Sequence, residues 1–463
     1  MGFLERLGNF IWNPWLLGLF LLVGGYYSVR TGFFQLFGMK IWWKTTVGSL
    51  LQKRNKKAAG GLSQFQALST ALASTIGTGS IAGVATAIFY GGPGAVFWMW
   101  VSAFLGLMTG FAEKTLAVRF RERAPAGGWQ GGPMTYISKG LHLDWLGWCF
   151  GFCCVFASLG GGNMVQANSI ATSLEAAFGW NRLVVGIVVA VVTGAVIFGG
   201  VGRIGRVSEK LVPAMALLFI GGGVWVLAVN ASALLPALDR IIRCAFAPKA
   251  ALGGGLGYGI SAAMRYGIAR GVFTNEAGLG SSAMAHAAAE VEEPAEEGMW
   301  GIFEVFIATL VVCTITALVI LTTGVYSEIG ALTAIQNGTT ANQLLGAPLS
   351  AAAFSAVFGH CGSVFVAICL LLFAFTSLLG WSYYGERGLS HILNTDRFTP
   401  LYRAVFMVVI VVGSVGDLAA VWQLADVLNG LMALPNLVAL LLLSPEVLRL
   451  FKAFLEKEKR SAA

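Results

Sequence analysis

The chain has 463 residues, of which 57% are hydrophobic and 11% charged. A soluble protein of that length carries about 25% charged residues, so the composition excludes a water-soluble globular domain. The net charge of +8 does not point to nucleic acid, because the basic residues sit in short connections between apolar runs, the distribution found at cytoplasmic loops of membrane proteins.

Apolar runs long enough to cross a bilayer recur along the chain. Eleven spans are predicted, near 14–32, 66–90, 94–119, 148–178, 183–201, 211–230, 253–288, 299–325, 353–385, 402–416 and 420–444. Six Lys or Arg fall in 40–57, five in 114–139, and Arg203, Arg206 and Lys210 follow span five. Arg387, Arg397 and Arg403 follow span nine, and five more basic residues lie in the tail from 449 to 460. All of these fall on one side of an eleven-span chain, which puts the N-terminus outside and the C-terminus in the cytoplasm. Arg240, Arg243 and Lys249 oppose that placement, as does the acidic "EVEEPAEE" at 290–297, though acidic residues weigh little in this rule.

Spans two and seven are interrupted by glycine and hydroxyl residues, "STIGTGSIAG" at 74–83 and "FTNEAGLGSS" at 273–282. They lie five spans apart. Spans two to six and seven to eleven therefore form two sets of five, each opening on a broken helix and running oppositely through the membrane. That is the pattern of an inverted-repeat secondary transporter with its site between the breaks. The expected fold is an all-α polytopic membrane protein in four segments. These are an extra helix and basic loop (1–65), a first repeat (66–230), a second repeat (253–444) and a basic tail (445–463).

A break at bilayer depth frees carbonyls at the end of one half-helix and N–H groups at the start of the next. The carbonyl end suits a cation and the N–H end an anion. In span two the carbonyls near 73–76 face a cation or ammonium, and the N–H groups of Gly77, Thr78, Gly79 and Ser80 face an anion. Carbonyls near 272–274 supply a second cation-seeking surface. One small zwitterion, an α-amino acid, answers both polarities. Thr376 and Ser377 in span nine are hydroxyl ligands for a monovalent cation or else bond back to their own helix. Asn163 and Gln166 share one face of span four, as interhelical glue or as substrate contacts, with Gln166 the better contact. Trp381 is an interfacial belt residue or a lid.

Glu113, Glu276, Glu304, Arg265 and Arg270 are the charges in or near spans, and such residues are functional hypotheses by default. Glu113 and Glu304 read as gate or structural pairs, and Arg265 and Arg270 as partners of Glu276 or a neighbouring carboxylate. The four histidines show neither metal spacing nor a nucleophile–base constellation, and the seven cysteines mostly fall in apolar spans. No enzyme is expected.

The segment "GGPGAVFWMWVSAFLG" at 91–106 strongly resembles the signature of the alanine/glycine:cation symporter family, the sodium:alanine symporters. "GGWQGGPMTYI" at 127–137, "TNEAGLGSSAMAHAAA" at 274–289 and "GWSYYGER" at 380–387 also resemble family segments. The resemblance implies Na⁺-coupled import of alanine or glycine across the cell membrane, with Na⁺ as the co-transported ion. No nucleic acid and no obligate protein partner are expected. It also implies the five-plus-five fold of the leucine-transporter type. By that analogy Na⁺ meets the carbonyls of Ala73, Ile76 and Phe373 and the hydroxyls of Thr376 and Ser377. The substrate meets Thr75, Gly77, Thr78, Gly79, Gln166, Phe273, Thr274 and Trp381, with Phe273 and Trp381 limiting side-chain size. Proton coupling through Glu276 is the alternative within the class; a channel or a nutrient sensor is the alternative outside it.

Overall fold

The computed structural model describes residues 3–51, 61–124, 128–246, 259–336, 345–416 and 418–462. The start of the seventh predicted span (253–258) and the basic residues Lys53, Arg54, Lys56, Lys57 and Lys249 lie outside them. Apart from one two-stranded hairpin, Glu122–Arg123 with Trp129–Gln130, the regular structure described is helical. Six described helices are long and apolar enough to cross a membrane: Gly94–Arg119, Asp144–Phe178, Gly200–Val229, Pro294–Thr322, His360–Leu393 and Ala425–Leu442. The pair Gln64–Thr75 and Gly79–Gly91, bent by 48° at its break, makes a seventh. Shorter apolar helices cover Arg182–Ile197, Ala347–Phe358 and Thr399–Val415, and Pro14–Arg30 and Ile260–Asn275 are helical as well.

Two predicted boundaries are corrected. The stretch expected as one span from 353 to 385 is divided at Gly359. The Ala347–Phe358 helix ends there and His360–Leu393 begins, because Gly359 sits at φ +59, a backbone state that side chains other than glycine seldom adopt. The sixth helix starts at Gly200 instead of 211, so Arg203, Arg206 and Lys210 stand on a helix instead of in a loop.

The Gly94–Arg119 helix packs closely against both Ile260–Asn275 and Pro294–Val305. Backbones approach closely here. A Cβ on Gly301 would stand 2.5 Å from the Gly110 carbonyl oxygen, and one on Gly110 would stand 3.1 Å from that of Gly301. Small residues at helix crossings allow such packing in membranes. At the periphery the apolar faces turn outward, with Leu217, Trp225 and Val408 each more than half exposed. Contiguous apolar exposure of this kind suits hydrocarbon rather than water.

The tail predicted only as basic is an amphipathic helix, Ser444–Ala462. It is held to the body by Arg119–Glu446 at 2.6 Å and Lys457–Glu293 at 2.7 Å. Hydrogen bonds from Arg449 and Arg119 hold the Glu446 carboxyl down to about 2. A depressed folded-state value means that this contact contributes fully above the ordinary carboxylate range and is lost as pH falls through the lowered value. Amide exchange in 444–462 is expected to stay slow at pH 5 and to rise as pH falls from about 4 towards 2. Glu446→Gln should show the fast exchange already at neutral pH. Exchange insensitive to both changes would contradict this docking.

Candidate functional site

The first break follows a helix with a well-made start: Ser63 and Gln66 form a reciprocal capping box at the head of Gln64–Thr75. The helix stops at Ile76 (φ −88, ψ 70), and a stretch of wide π-type turns, Gly79–Gly83, resumes the path. Glycine at 77 and 79 makes the interruption inexpensive, and neighbouring helices answer the freed groups. Thr316 donates to the carbonyl of Ser80 at 2.8 Å and Ser350 to that of Ile81 at 3.0 Å. The N–H of Thr78 donates to Gln166 Oε1 at 3.4 Å.

The second break runs from Glu276 to Ser282, between Ile260–Asn275 and the single turn Ala283–Ala287. Glu276 itself takes a left-handed conformation (φ 55), as do Gly278 and Gly280. Asn275 Oδ1 accepts from the N–H of Ala277, and Glu276 Oε2 accepts from Ser281 at 2.5 Å.

The two breaks enclose one small cavity of about 10 Å³. Six of the eight expected substrate residues line it: Thr75, Gly77, Gly79, Gln166, Phe273 and Trp381. Thr78 and Thr274 stand just behind. Thr78 Oγ1 is buried without a partner, and Thr274 bonds back to the Arg270 carbonyl. Trp381 is buried, which removes the interfacial-belt reading. Four lining residues were absent from the expected set: Ser74, Gly161, Glu276 and Asn429.

The expected cation residues come together at the carbonyl end of the first break. Ser377 Oγ lies 3.0 Å from the Ala73 carbonyl oxygen, 3.0 Å from that of Phe373 and 3.4 Å from that of Ser74. Thr376 Oγ1 donates back to Phe373 at 2.9 Å and also meets Met215 Sδ at 3.5 Å. Ile76 caps the same helix end, and its N–H donates to Leu72. Both hydroxyls bond back to Phe373, and Ser377 also joins its own helix to the interrupted one. Gly77 faces this junction. A methyl added there would overlap Ser377 Oγ and stand 3.4 Å from Gln166 Oε1. Gly77→Ala is expected to destabilise the purified protein by about 1–3 kcal/mol, the usual range for overpacking; a melting temperature equal to that of wild type would contradict the crowding.

Asn163 is glue instead of a contact, donating to the Phe406 carbonyl at 2.7 Å. Arg270 pairs with Asp426 at 3.1 and 3.3 Å, a neighbouring carboxylate instead of Glu276. Glu113, Glu304 and Lys114 form a fully buried group. Lys114 Nζ lies 3.4 Å from Glu113 and 3.2 Å from Glu304. His286 bridges Glu297 at 2.6 Å and Glu304 at 3.2 Å. Glu113 Oε1 accepts from the Gly278 N–H at 2.8 Å and from Asn436 at 2.7 Å, which ties this group to the second break. The spacing of His286 in the sequence gives no sign of these partners. His286 is 11 residues from Glu297 and 18 from Glu304, and only the reversal of the chain after the second break brings them together. A second cavity, about 90 Å³, lies apart from the breaks beside Arg387 and Asp396.

The arrangement of two opposed helix breaks around a buried cavity is that of a membrane transporter, and solved structures share the fold. One is MhsT in complex with L-phenylalanine (TM-score 0.58, 14% identity, 82% of this chain and 88% of that one). Another is a manganese transporter of Eremococcus coleocola (TM-score 0.53, 14% identity, 83% and 77%). These are leucine-transporter-type folds. The chain belongs to the sodium:alanine symporter family, whose model matches residues 2–463. It is 42% identical to the sodium/alanine symporter AgcS of Methanococcus maripaludis, over 99% of this chain and 98% of that one. It is 37% identical to the probable sodium/glutamine symporter GlnT of Bacillus subtilis, over 97% and 90%. The chain is therefore a secondary transporter and not an enzyme.

Proposed function

We propose that the protein carries alanine, glycine or both into the cell by Na⁺-coupled symport with alternating access. The observation that carries this reading is the junction at the first break. There a serine hydroxyl and the carbonyls of Ala73 and Phe373 converge, and Ser74 and Thr75, next along the chain from Ala73, line the cavity shared by both breaks. Hydroxyl and carbonyl oxygens are the ligand type that suits a hard monovalent cation. In this reading Ala73, Ile76, Phe373, Thr376 and Ser377 hold Na⁺. The N–H groups of Gly77, Thr78 and Gly79, with Gln166, take the substrate carboxylate, and carbonyls at Phe273 and Thr274 face its ammonium. Thr75 borders the same space, and Phe273 and Trp381 exclude larger side chains. The topology that goes with it is eleven spans in two inverted sets of five, N-terminus outside and C-terminus in the cytoplasm, in the cell membrane. The similarity to AgcS, named for sodium and alanine, supports the choice of ion and substrate.

The test is uptake of labelled alanine by proteoliposomes under an inward Na⁺ gradient. Uptake is expected to collapse when Na⁺ is replaced by K⁺. Uptake unaffected by that replacement, but driven by a pH gradient, would instead favour coupling through Glu276, which lines the cavity. Uptake driven by neither gradient would reject both.

A further inference from the structure

On the Leu418–Leu442 helix, Asp426, Asn429 and Asn436 are three and seven residues apart, so they stand on one face. Polar side chains in a membrane helix are costly unless something answers them. Asp426 is answered by Arg270. Asn436 donates to Glu113 at 2.7 Å and to the Gly278 carbonyl at 2.9 Å, and accepts from the Tyr136 hydroxyl. Asn429, between them, is different. It is 1% exposed, it lines the cavity between the breaks, and its Oδ1 accepts no hydrogen bond. Its Nδ2 lies beside Gly161, 3.6 Å from where a Cβ on that residue would stand. Gly161 leaves this wall without a side chain of its own.

A buried amide oxygen without a donor carries a penalty comparable to a lost hydrogen bond. Two polar neighbours on the same face have protein partners, and the third faces the space a substrate enters. We propose that Asn429 is a specificity-determining residue that reads the substrate's side chain, accepting a hydrogen bond from a β-hydroxyl, and that serine is therefore a ligand of this site. This rests on the symport reading above. There, main-chain groups of the two breaks answer the carboxylate and the ammonium, and Asn429, on a third element, is left for what projects from the α-carbon. Alanine's methyl fits the same space but leaves the amide unanswered.

The experiment compares L-serine with L-2-aminobutyrate, which has the same shape with a methyl in place of the hydroxyl. Thermal stabilisation of the purified full-length protein in Na⁺ is the readout. Wild type is expected to respond to serine at about tenfold lower concentration than to 2-aminobutyrate, the size of effect that follows from pairing or stranding one buried polar group. Asn429→Leu should bring serine and 2-aminobutyrate to parity, read as the ratio of the two responses in the same protein, since the amide that tells a hydroxyl from a methyl is gone. Equal responses in wild type overturn the inference, and this comparison needs no variant to fold. An Asn429→Leu protein that still prefers serine to 2-aminobutyrate by about tenfold also overturns it, because another group would then be reading the hydroxyl. If proteoliposomes show no Na⁺-dependent alanine uptake, the transport reading fails while the serine comparison can still be read.

Discussion

Lys114→Ala is expected to be among the most damaging single substitutions in this protein. Lys114 Nζ sits between Glu113 and Glu304, and none of the three has any exposure. Removing the cation leaves two carboxylates at short range in a low dielectric. Stranding a buried charge in this way costs about 3–5 kcal/mol, a large share of what holds a membrane protein together. Glu113 also receives the Gly278 N–H and Asn436, so the disturbance reaches the second break. Thermal unfolding of the detergent-solubilised protein is the measurement, with Arg449→Ala as the control. Arg449 is largely exposed in its pair with Glu446, where water screens the attraction and little stability is lost with it. Equal melting of the two variants would show that the buried group adds no more than a surface contact.

Ser377→Ala combined with Thr376→Ala is expected to shift the Na⁺ dependence of uptake far more than the uptake reached at saturating Na⁺ and alanine. In the structure these hydroxyls hydrogen-bond to carbonyls of Ala73 and Phe373. A cation held there exchanges those hydrogen bonds for ion–dipole contacts with the same oxygens. A hydrogen-bonding group lost to a charged partner costs about 1.5–3 kcal/mol, and each 1.4 kcal/mol is tenfold. The Na⁺ half-saturation concentration should therefore rise by roughly tenfold to a hundredfold. A folded double variant with unaltered Na⁺ dependence would remove these residues from the ion's path.

The breaks were legible because glycine and hydroxyl residues are out of place in the middle of an apolar run, and two matching instances point to one site. Glycine and threonine at 77–79 and asparagine and glutamate at 275–276 mark where the helices stop. Gln166 and Trp381 were legible as a polar and a large amphipathic group within spans. Asn429 and Ser74 were missed for different reasons. Ser74 sits within the helical half of span two, where back-bonding is the ordinary fate of serine. Asn429 carried a usable signal, the recurrence of Asp426, Asn429 and Asn436 on one face, but that signal needs the helix's neighbours to be known before it points to a cavity. The buried cluster was not legible as a unit. Lys114 reads as one of the basic residues of a connection, yet the Gly94–Arg119 helix runs past it, and its partner Glu304 comes from a helix nearly two hundred residues later.

The crossing at Gly110 and Gly301 has a mechanical consequence. With main chains this near, the Gly94–Arg119 and Pro294–Val305 helices lack the side-chain cushion across which helices usually slide. Lys114, one turn on, bolts them together electrically. Any rearrangement of the bundle must then carry this pair as a single beam, and the pivots belong at its ends, where the chain turns.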